Sequence, residues 1–147
     1  MSSLLKFDSI LEQAIREEIE PEFKSAVAIV RQRDRWLLGL SRETGDDRTG
    51  KWVHPGGGIK HKENPKKAAE RECFEETGIR CRAVGEPFRL PDHKGVAFVP
   101  CTVSSTNQKI DLNHEFSAAG FFTMAELRTL KPLYKNAQKL IERVRNR

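Results

Sequence analysis

The chain has 147 residues, 37% hydrophobic and 32% charged, and 26 basic against 21 acidic side chains give a net charge of +5. That length fits one domain and leaves little room for two, and the mixed signs remove net charge as a cause of disorder. Ten glycines, seven prolines and the lack of an internal repeat exclude fibrous and solenoid architectures, so residues 1–147 read as a single domain.

Phe7, Ile10, Leu11, Ala14, Ile15 and Ile19 recur at helical spacing and predict an N-terminal helix that Pro21 ends. Ser25–Arg31 and Trp36–Arg42 are β-rich and flank polar Gln32–Arg35, the pattern of a hairpin. A charged loop, Glu43–Gly50, leads to a short strand, Lys51–Val53, and then to Pro55-Gly56-Gly57-Gly58. A second helix is predicted over Pro65–Thr77, with Asn64 as N-cap, Pro65 at the first helical position and Gly78 as C-terminal cap. Ile79–Gly85 and Val96–Ser104 read as strands, with a turn at Pro91–Gly95; Pro100 predicts an edge strand or a bulge. Glu115–Phe122 is a further strand, and Thr123-Met124-Ala125-Glu126 is a capping box that opens a short helix. Beyond Pro132, a final amphipathic helix is predicted from Leu133, Tyr134, Ala137, Leu140, Ile141 and Val144. Strand runs between helices favour an α/β fold with a mixed sheet.

The longest purely apolar run, Ala26 to Val30, is far short of the roughly 20 residues of a membrane span. Met1–Asp8 meets acidic residues too early to hold a secretory apolar region. Cys73, Cys81 and Cys101 are odd in number and form no CxxC pair, which argues against a disulfide scaffold or zinc knuckle. A cytoplasmic protein without a membrane partner is expected. Residues 1–22 carry two basic and six acidic groups, residues 128–147 seven basic and one acidic. The basic tail reads either as a surface for RNA phosphates or as a solvated helix face. Its charges lack the repeated interleaved aromatics of single-strand binders, with Tyr134 alone among them, which favours the second.

Glu72, Glu75 and Glu76 lie three and four residues apart and so share a helix face, where each like-charged pair costs roughly 0.2–0.5 kcal/mol. One reading is a solvated acidic face balanced by Lys66, Lys67 and Arg71. The other is a site for a hard divalent cation such as Mg²⁺, which takes carboxylate oxygens and keeps waters for phosphates. Three consecutive glycines let backbone approach a ligand, and Arg71 offers a rigid fork to hold a carboxylate.

Together these residues form one pattern: Gly57, five residues, Glu63, seven residues, then Arg71-Glu72-Cys73-Phe74-Glu75-Glu76-Thr77-Gly78-Ile79. It resembles the Nudix box of the MutT-type pyrophosphohydrolases over residues 57–79, and a chance match is on the order of 10⁻⁵ or less. Trp52 before Pro-Gly-Gly and the closing stretch Phe121–Leu127 extend the likeness. The resemblance implies an α/β/α sandwich, Mg²⁺ or Mn²⁺, and hydrolysis of a nucleoside diphosphate linked to another moiety. By position, it implies that Glu72, Glu75 and Glu76 ligate the metal, that Glu72 is a candidate base, and that the Gly56 carbonyl is a backbone ligand. It gives Arg71 the task of orienting a glutamate, and Gly57 and Glu63 that of supporting the loop. Cys73 departs from a usually aliphatic position and reads as a small buried hydrophobe. Lys60 and Lys62 make the loop more basic, either to touch phosphate or to face water.

Outside the box, Glu115 in Asn113-His114-Glu115-Phe116 is similar in placement to a metal-binding or basic glutamate of many Nudix enzymes, RNA-decapping members included. Arg42, Arg48 and Arg31 are candidate phosphate contacts. His54 and His93 read as local loop residues, and Trp36 and Trp52 as core. Lys94 stands where ADP-ribose cutters tend to carry a proline, the only tyrosine, Tyr134, lies outside the dinucleoside polyphosphate mark, and the NADH-type mark is absent. Elimination leaves a (d)NTP pyrophosphohydrolase that releases a nucleoside monophosphate and pyrophosphate. A 5′-pyrophosphohydrolase of RNA is the alternative, supported by Glu115 and the basic tail. A non-catalytic nucleotide sensor is the third reading, and such a domain should lose box glutamates that this chain retains.

Overall fold

The computed structural model describes residues 22–42 and 45–146, so the predicted N-terminal helix lies outside the described residues. Its strands are β1 (Ser25–Gln32), β2 (Arg35–Ser41), β3 (Trp52–Val53), β4 (Gly56–Gly58), β5 (Cys81–Ala83), β6 (Phe88–Leu90), β7 (His93–Val103) and β8 (Phe116–Phe122). The helices are α1 (Pro65–Thr77), α2 (Met124–Leu127) and α3 (Ala137–Arg145). One mixed sheet runs β3-β2-β1-β7-β5, with β4 on β1, β6 on β7 and β8 on β2. β1 and β7 are parallel, from Ser25 opposite Val96 to Arg31 opposite Thr102. The other pairings are antiparallel.

The alternation along β1 builds two cores. Ala26, Ala28 and Val30 face α1 and pack with Ala68, Ala69 and Cys73. Ile29 faces the opposite side with Trp36, Leu38, Leu127, Leu140 and Ile141. Small side chains on both β1 and α1 let the helix lie close to the sheet, while large ones fill the second layer. The result is the expected α/β/α sandwich. α1 has the expected limits: Asn64 Oδ1 accepts from Lys67 N at 2.8 Å, and Gly78, at φ 75°, donates its N–H to Phe74 O at 2.8 Å. The capping box at Thr123 is formed in both directions.

Three details differ from expectation. Pro100 lies within β7, which carries β1 on one side and β5 and β6 on the other, so the strand is not an edge. Val84 N donates to Pro100 O at 2.8 Å, which turns the proline's backbone groups toward the gap between β5 and β6. The absent N–H falls where the partner strand changes, and no ladder bond is lost. Phe88–Leu90 forms a strand before the expected turn Pro91–Gly95, and β7 begins within that turn at His93, closing a tight hairpin with Leu90 opposite His93 and stacking Phe88 on Phe98 at 5.7 Å. α3 starts at Ala137 rather than Leu133, because the preceding residues run along β3: Trp52 N donates to Pro132 O and Tyr134 N to Trp52 O. Among the described residues no helix is long and apolar enough to cross a membrane.

The site is positioned by how β1 shares one edge. Its last residues, Arg31 and Gln32, pair with Trp36 and Arg35 of β2. Its first, Ser25 to Val27, pair with Gly58 to Gly56 of β4. β2 and β4 therefore diverge, and the glycine strand is carried over to the side of α1.

Candidate active site

Arg71 organises the acidic helix. Its Nε donates to Glu63 Oε2 at 2.8 Å and its Nη2 to Glu63 Oε1 and Gly58 O, both at 2.9 Å. Its Nη1 donates to Glu72 Oε1 at 2.8 Å and Glu75 Oε2 at 3.1 Å. A guanidinium has five N–H donors, and all five are used. Glu63 is thereby held at a pKa of about 2 by its bonds to Arg71, and it also accepts from Lys60 N at 3.0 Å. The loop, the glycine strand and two helix carboxylates are fastened to one side chain.

Glu76 differs from its neighbours. It is 4% exposed, and its Oε1 accepts from Gly56 N at 2.8 Å. Burial pushes its pKa up to about 8, against the Gly56 bond, and the charges of Glu72 and Glu115 push the same way. Glu115 is half-exposed beside His114, and Asn113 links it to the helix: Glu115 N donates to Asn113 Oδ1 at 2.8 Å and Asn113 N to Glu76 O at 3.4 Å. Glu70 does separate work, accepting from Ala83 N at 2.8 Å to tie α1 to β5.

The glycines act differently from one another. A Cβ on Gly56 would lie 2.6 Å from Ala26 O and 2.9 Å from Val27 Cα, which are backbone and cannot step aside. A Cβ on Gly57 would lie 2.6 Å from Glu72 Cδ, so Gly57 is the floor on which that carboxylate rests. Gly56→Ala is therefore expected to lower thermal stability by about 1–3 kcal/mol, the usual cost of overpacking. Gly57→Ala should keep the melting temperature within a few degrees while displacing Glu72 and lowering activity by at least about tenfold. Parallel melting curves and steady-state rates distinguish the two.

The other candidates lie around this centre. Arg42 is exposed, and its N–H donates to Glu115 O at 2.9 Å. Arg48 forks onto Asp46, with Nη2 2.7 Å from Oδ2, and its charge reaches Glu76. Lys60 contributes backbone contacts to Glu63 and an exposed side chain. Arg31 does not join the centre: it lies 5.2 Å over the Trp36 ring, at the end of β1 away from β4. Cys73 and Trp36 are core, as expected. A cavity of about 370 Å³ adjoins Gly56 and Gly57 and is lined also by Arg48, His54, His93 and Asn136. His54 is buried, its Nε2 donates to Ala137 O at 3.0 Å, and burial lowers its pKa to about 4. As a loop histidine its place on a cavity wall was not readable, because the other wall comes from α3.

Among the described residues, no three carboxylates, imidazoles or thiols converge closely enough to hold a metal ion in this conformation. Glu72 and Glu75 rest on Arg71 instead. The donor set nevertheless suits a hard cation. Desolvation, with the charges of Glu72 and Glu115, disfavours the charged form of Glu76, and a divalent ion beside it would restore the carboxylate.

A family model described as the NUDIX domain matches residues 22–144. Solved structures agree with it. A MutT protein from Methanosarcina mazei is 23% identical over 86% of this chain and 95% of its own, with a TM-score of 0.66. An ADP-ribose pyrophosphatase from Streptococcus suis is 28% identical over 82% and 87%, with a TM-score of 0.65. A C. elegans Ap4A hydrolase is 17% identical over 84% and 96%, also with a TM-score of 0.65. No curated protein sequence matches the chain. The sandwich and its arginine-bound acidic helix define a hydrolase of the pyrophosphatase type. The chain belongs to the Nudix family.

Proposed function

We propose that the protein is a Mg²⁺- or Mn²⁺-dependent pyrophosphohydrolase of nucleoside triphosphates that releases a nucleoside monophosphate and pyrophosphate. The observation that carries this reading is Glu76, a carboxylate buried against the glycine strand beside Glu72 and next to a cavity of nucleoside size. Glu72, Glu75, Glu76 and the Gly56 carbonyl are the groups that would hold the cation. When bound, it supplies charge neutralisation at the phosphates and a more acidic water. Arg71 sets where Glu72 and Glu75 stand before substrate arrives. Glu72 and Glu115 are the two candidate bases, and Arg42, Arg48 and Lys60 are the candidate sources of positive charge for the phosphate chain.

Product analysis tests the reading. With Mg²⁺, nucleoside triphosphates should give monophosphate and pyrophosphate; diphosphate and orthophosphate would contradict it. ADP-ribose, diadenosine tetraphosphate and RNA with a 5′-triphosphate belong in the same assay. Faster turnover of any of these would keep the hydrolase and replace the substrate.

Glu115 carries its own expectation. If it serves as base or ligand, Glu115→Gln should lower kcat about 10²–10⁴-fold, more than it raises KM. A kcat within about threefold of wild type would make it a surface residue, since such substitutions usually cost under about 0.5 kcal/mol.

A further inference from the structure

The last carbonyls of an α-helix have no partners within it. At the end of α1, one passing segment takes two of them: Asp111 N donates to Thr77 O at 2.8 Å and Asn113 N to Glu76 O at 3.4 Å. Gly78 lets the segment lie this close, since a Cβ there would be 2.9 Å from Asp111 N. Residues 111–113 are thereby fastened to the turn of α1 that carries Glu75 and Glu76. Three residues beyond Asn113 the chain has a second anchor. Phe116, the first residue of β8, is 3% exposed, and its ring fills the place a Cβ on Gly39 of β2 would take. The register between β2 and β8 shifts just past it: Leu40 faces Ala118, but Ser41 faces Phe116. The extra residue, Ser117, is a bulge of the kind that re-aims neighbouring side chains. Glu115 stands between the two anchors, and its carbonyl accepts from Arg42 N at 2.9 Å. One side chain closes the remaining gap. Asn113 Oδ1 accepts from Glu115 N at 2.8 Å, a turn made by an asparagine on the backbone two residues further on. Asn113 is half-buried, and its side chain makes no other hydrogen bond among the described residues. Both backbone groups of Glu115 are thus held, while its carboxylate is left half-exposed and its charge is felt at Glu76.

We propose that Asn113 is a positioning residue for the reaction: its side-chain carbonyl fixes the backbone of Glu115 relative to α1 and so sets where that carboxylate stands beside Glu76. This rests on the reading of Glu115 as base or ligand and adds what holds it in place. A carboxylate on an untethered loop samples many positions, few of them next to the helix glutamates. The turn removes that freedom before substrate arrives, and small misplacements of a reacting group are costly. A serine hydroxyl closes the same turn more weakly, and alanine does not close it.

The test is a double-mutant cycle in steady-state rates, paired with amide hydrogen exchange of the metal-free protein. In the wild-type background Asn113→Ala should lower kcat about 10–100-fold, the range for groups that orient a functional side chain, and change KM by less than about threefold. In the Glu115→Gln background the same substitution should change kcat by less than about twofold, because the carboxylate it positions is already gone. A merely structural role would lower the rate equally in both backgrounds. Asn113→Ser should fall between wild type and alanine. Without metal, exchange of the Glu115 amide should be at least about tenfold faster in Asn113→Ala, while amides within α1 and β8 keep their protection. If the alanine variant does not fold, the serine variant carries the same cycle with an expected loss of about threefold or more. Equal losses in the two backgrounds, or a Glu115 amide that exchanges as in wild type, would overturn this inference and leave the role of Glu115 standing. A Glu115→Gln variant with kcat within about threefold of wild type would remove that role and this inference together.

Discussion

Glu76→Gln is expected to lower kcat/KM by at least about 100-fold while leaving the metal-free protein as stable as wild type or more so. The shape is conserved, and the amide oxygen of glutamine can still accept from Gly56 N, a bond of 2.8 Å in the wild type. What disappears is the charge. Residues that only orient metal ligands are worth about 10–100-fold, so a direct ligand should exceed that range. The stability arm has a definite sign. Burial raises the folded-state pKa of Glu76 from 4.5 to about 8, so the folded protein holds its proton longer than the unfolded chain does. Metal-free wild type therefore loses stability as pH rises from about 4.5 to about 8, and the glutamine variant is spared this loss. Above pH 8 its melting temperature should be higher by about 3–5 °C, taking about 1 kcal/mol for a domain of this size. A lower melting temperature at every pH, with activity retained, would make Glu76 structural.

Arg71→Ala should be the most damaging single change in the box. It removes five hydrogen bonds and leaves Glu63 and Glu72, whose side chains are 16% and 15% exposed, without their cation. Breaking a buried pair from one side costs about 3–5 kcal/mol, and partial exposure here brings that to about 2–3. Activity should fall at least about 100-fold as Glu72 and Glu75 lose their common anchor. Arg71→Lys restores charge but not the fork, so it should recover more stability than activity. The pH dependence again has a sign. Glu63 is depressed from 4.5 to about 2, so the stability it contributes is present above pH 4.5 and is lost as pH falls to about 2. The gap between wild type and Arg71→Ala in urea unfolding should narrow over that window. An undiminished gap at low pH would mean that Arg71 acts through packing rather than through Glu63.

Local chemistry was legible wherever it is self-contained. Asn64, Pro65 and Gly78 bound α1 because caps and fixed dihedrals act within one turn. The same holds for Thr123 and Glu126. The acidic spacing of Glu72, Glu75 and Glu76, with Arg71 beside them, marks the candidate site in the sequence. What could not be read depends on partners distant in the chain. Pro100 signals an edge, yet it sits beside β1 because its missing donor falls between two short strands. Phe88–Leu90 carries only three residues of strand and is fixed by Phe98 across the hairpin. Leu133 and Tyr134 have helical spacing, but β3 takes their backbone first. His54 has no local signature at all: Ala137, eighty-three residues away, orients its ring.

The unequal states of the three glutamates bear on how the centre works. Glu72 and Glu75 share Arg71 through hydrogen bonds, whereas Glu76 is bonded to a backbone amide and feels Arg48 only through its charge. Under the proposed reading Glu72, Glu75 and Glu76 would hold the divalent ion, which would supply Glu76 with a counter-charge. The most direct measurement is turnover of a nucleoside triphosphate by the purified wild-type protein, with Mg²⁺ or Mn²⁺ and with excess EDTA. Release of pyrophosphate with either metal and none with the chelator is the predicted result. Equal release in both would contradict a metal-dependent acidic centre.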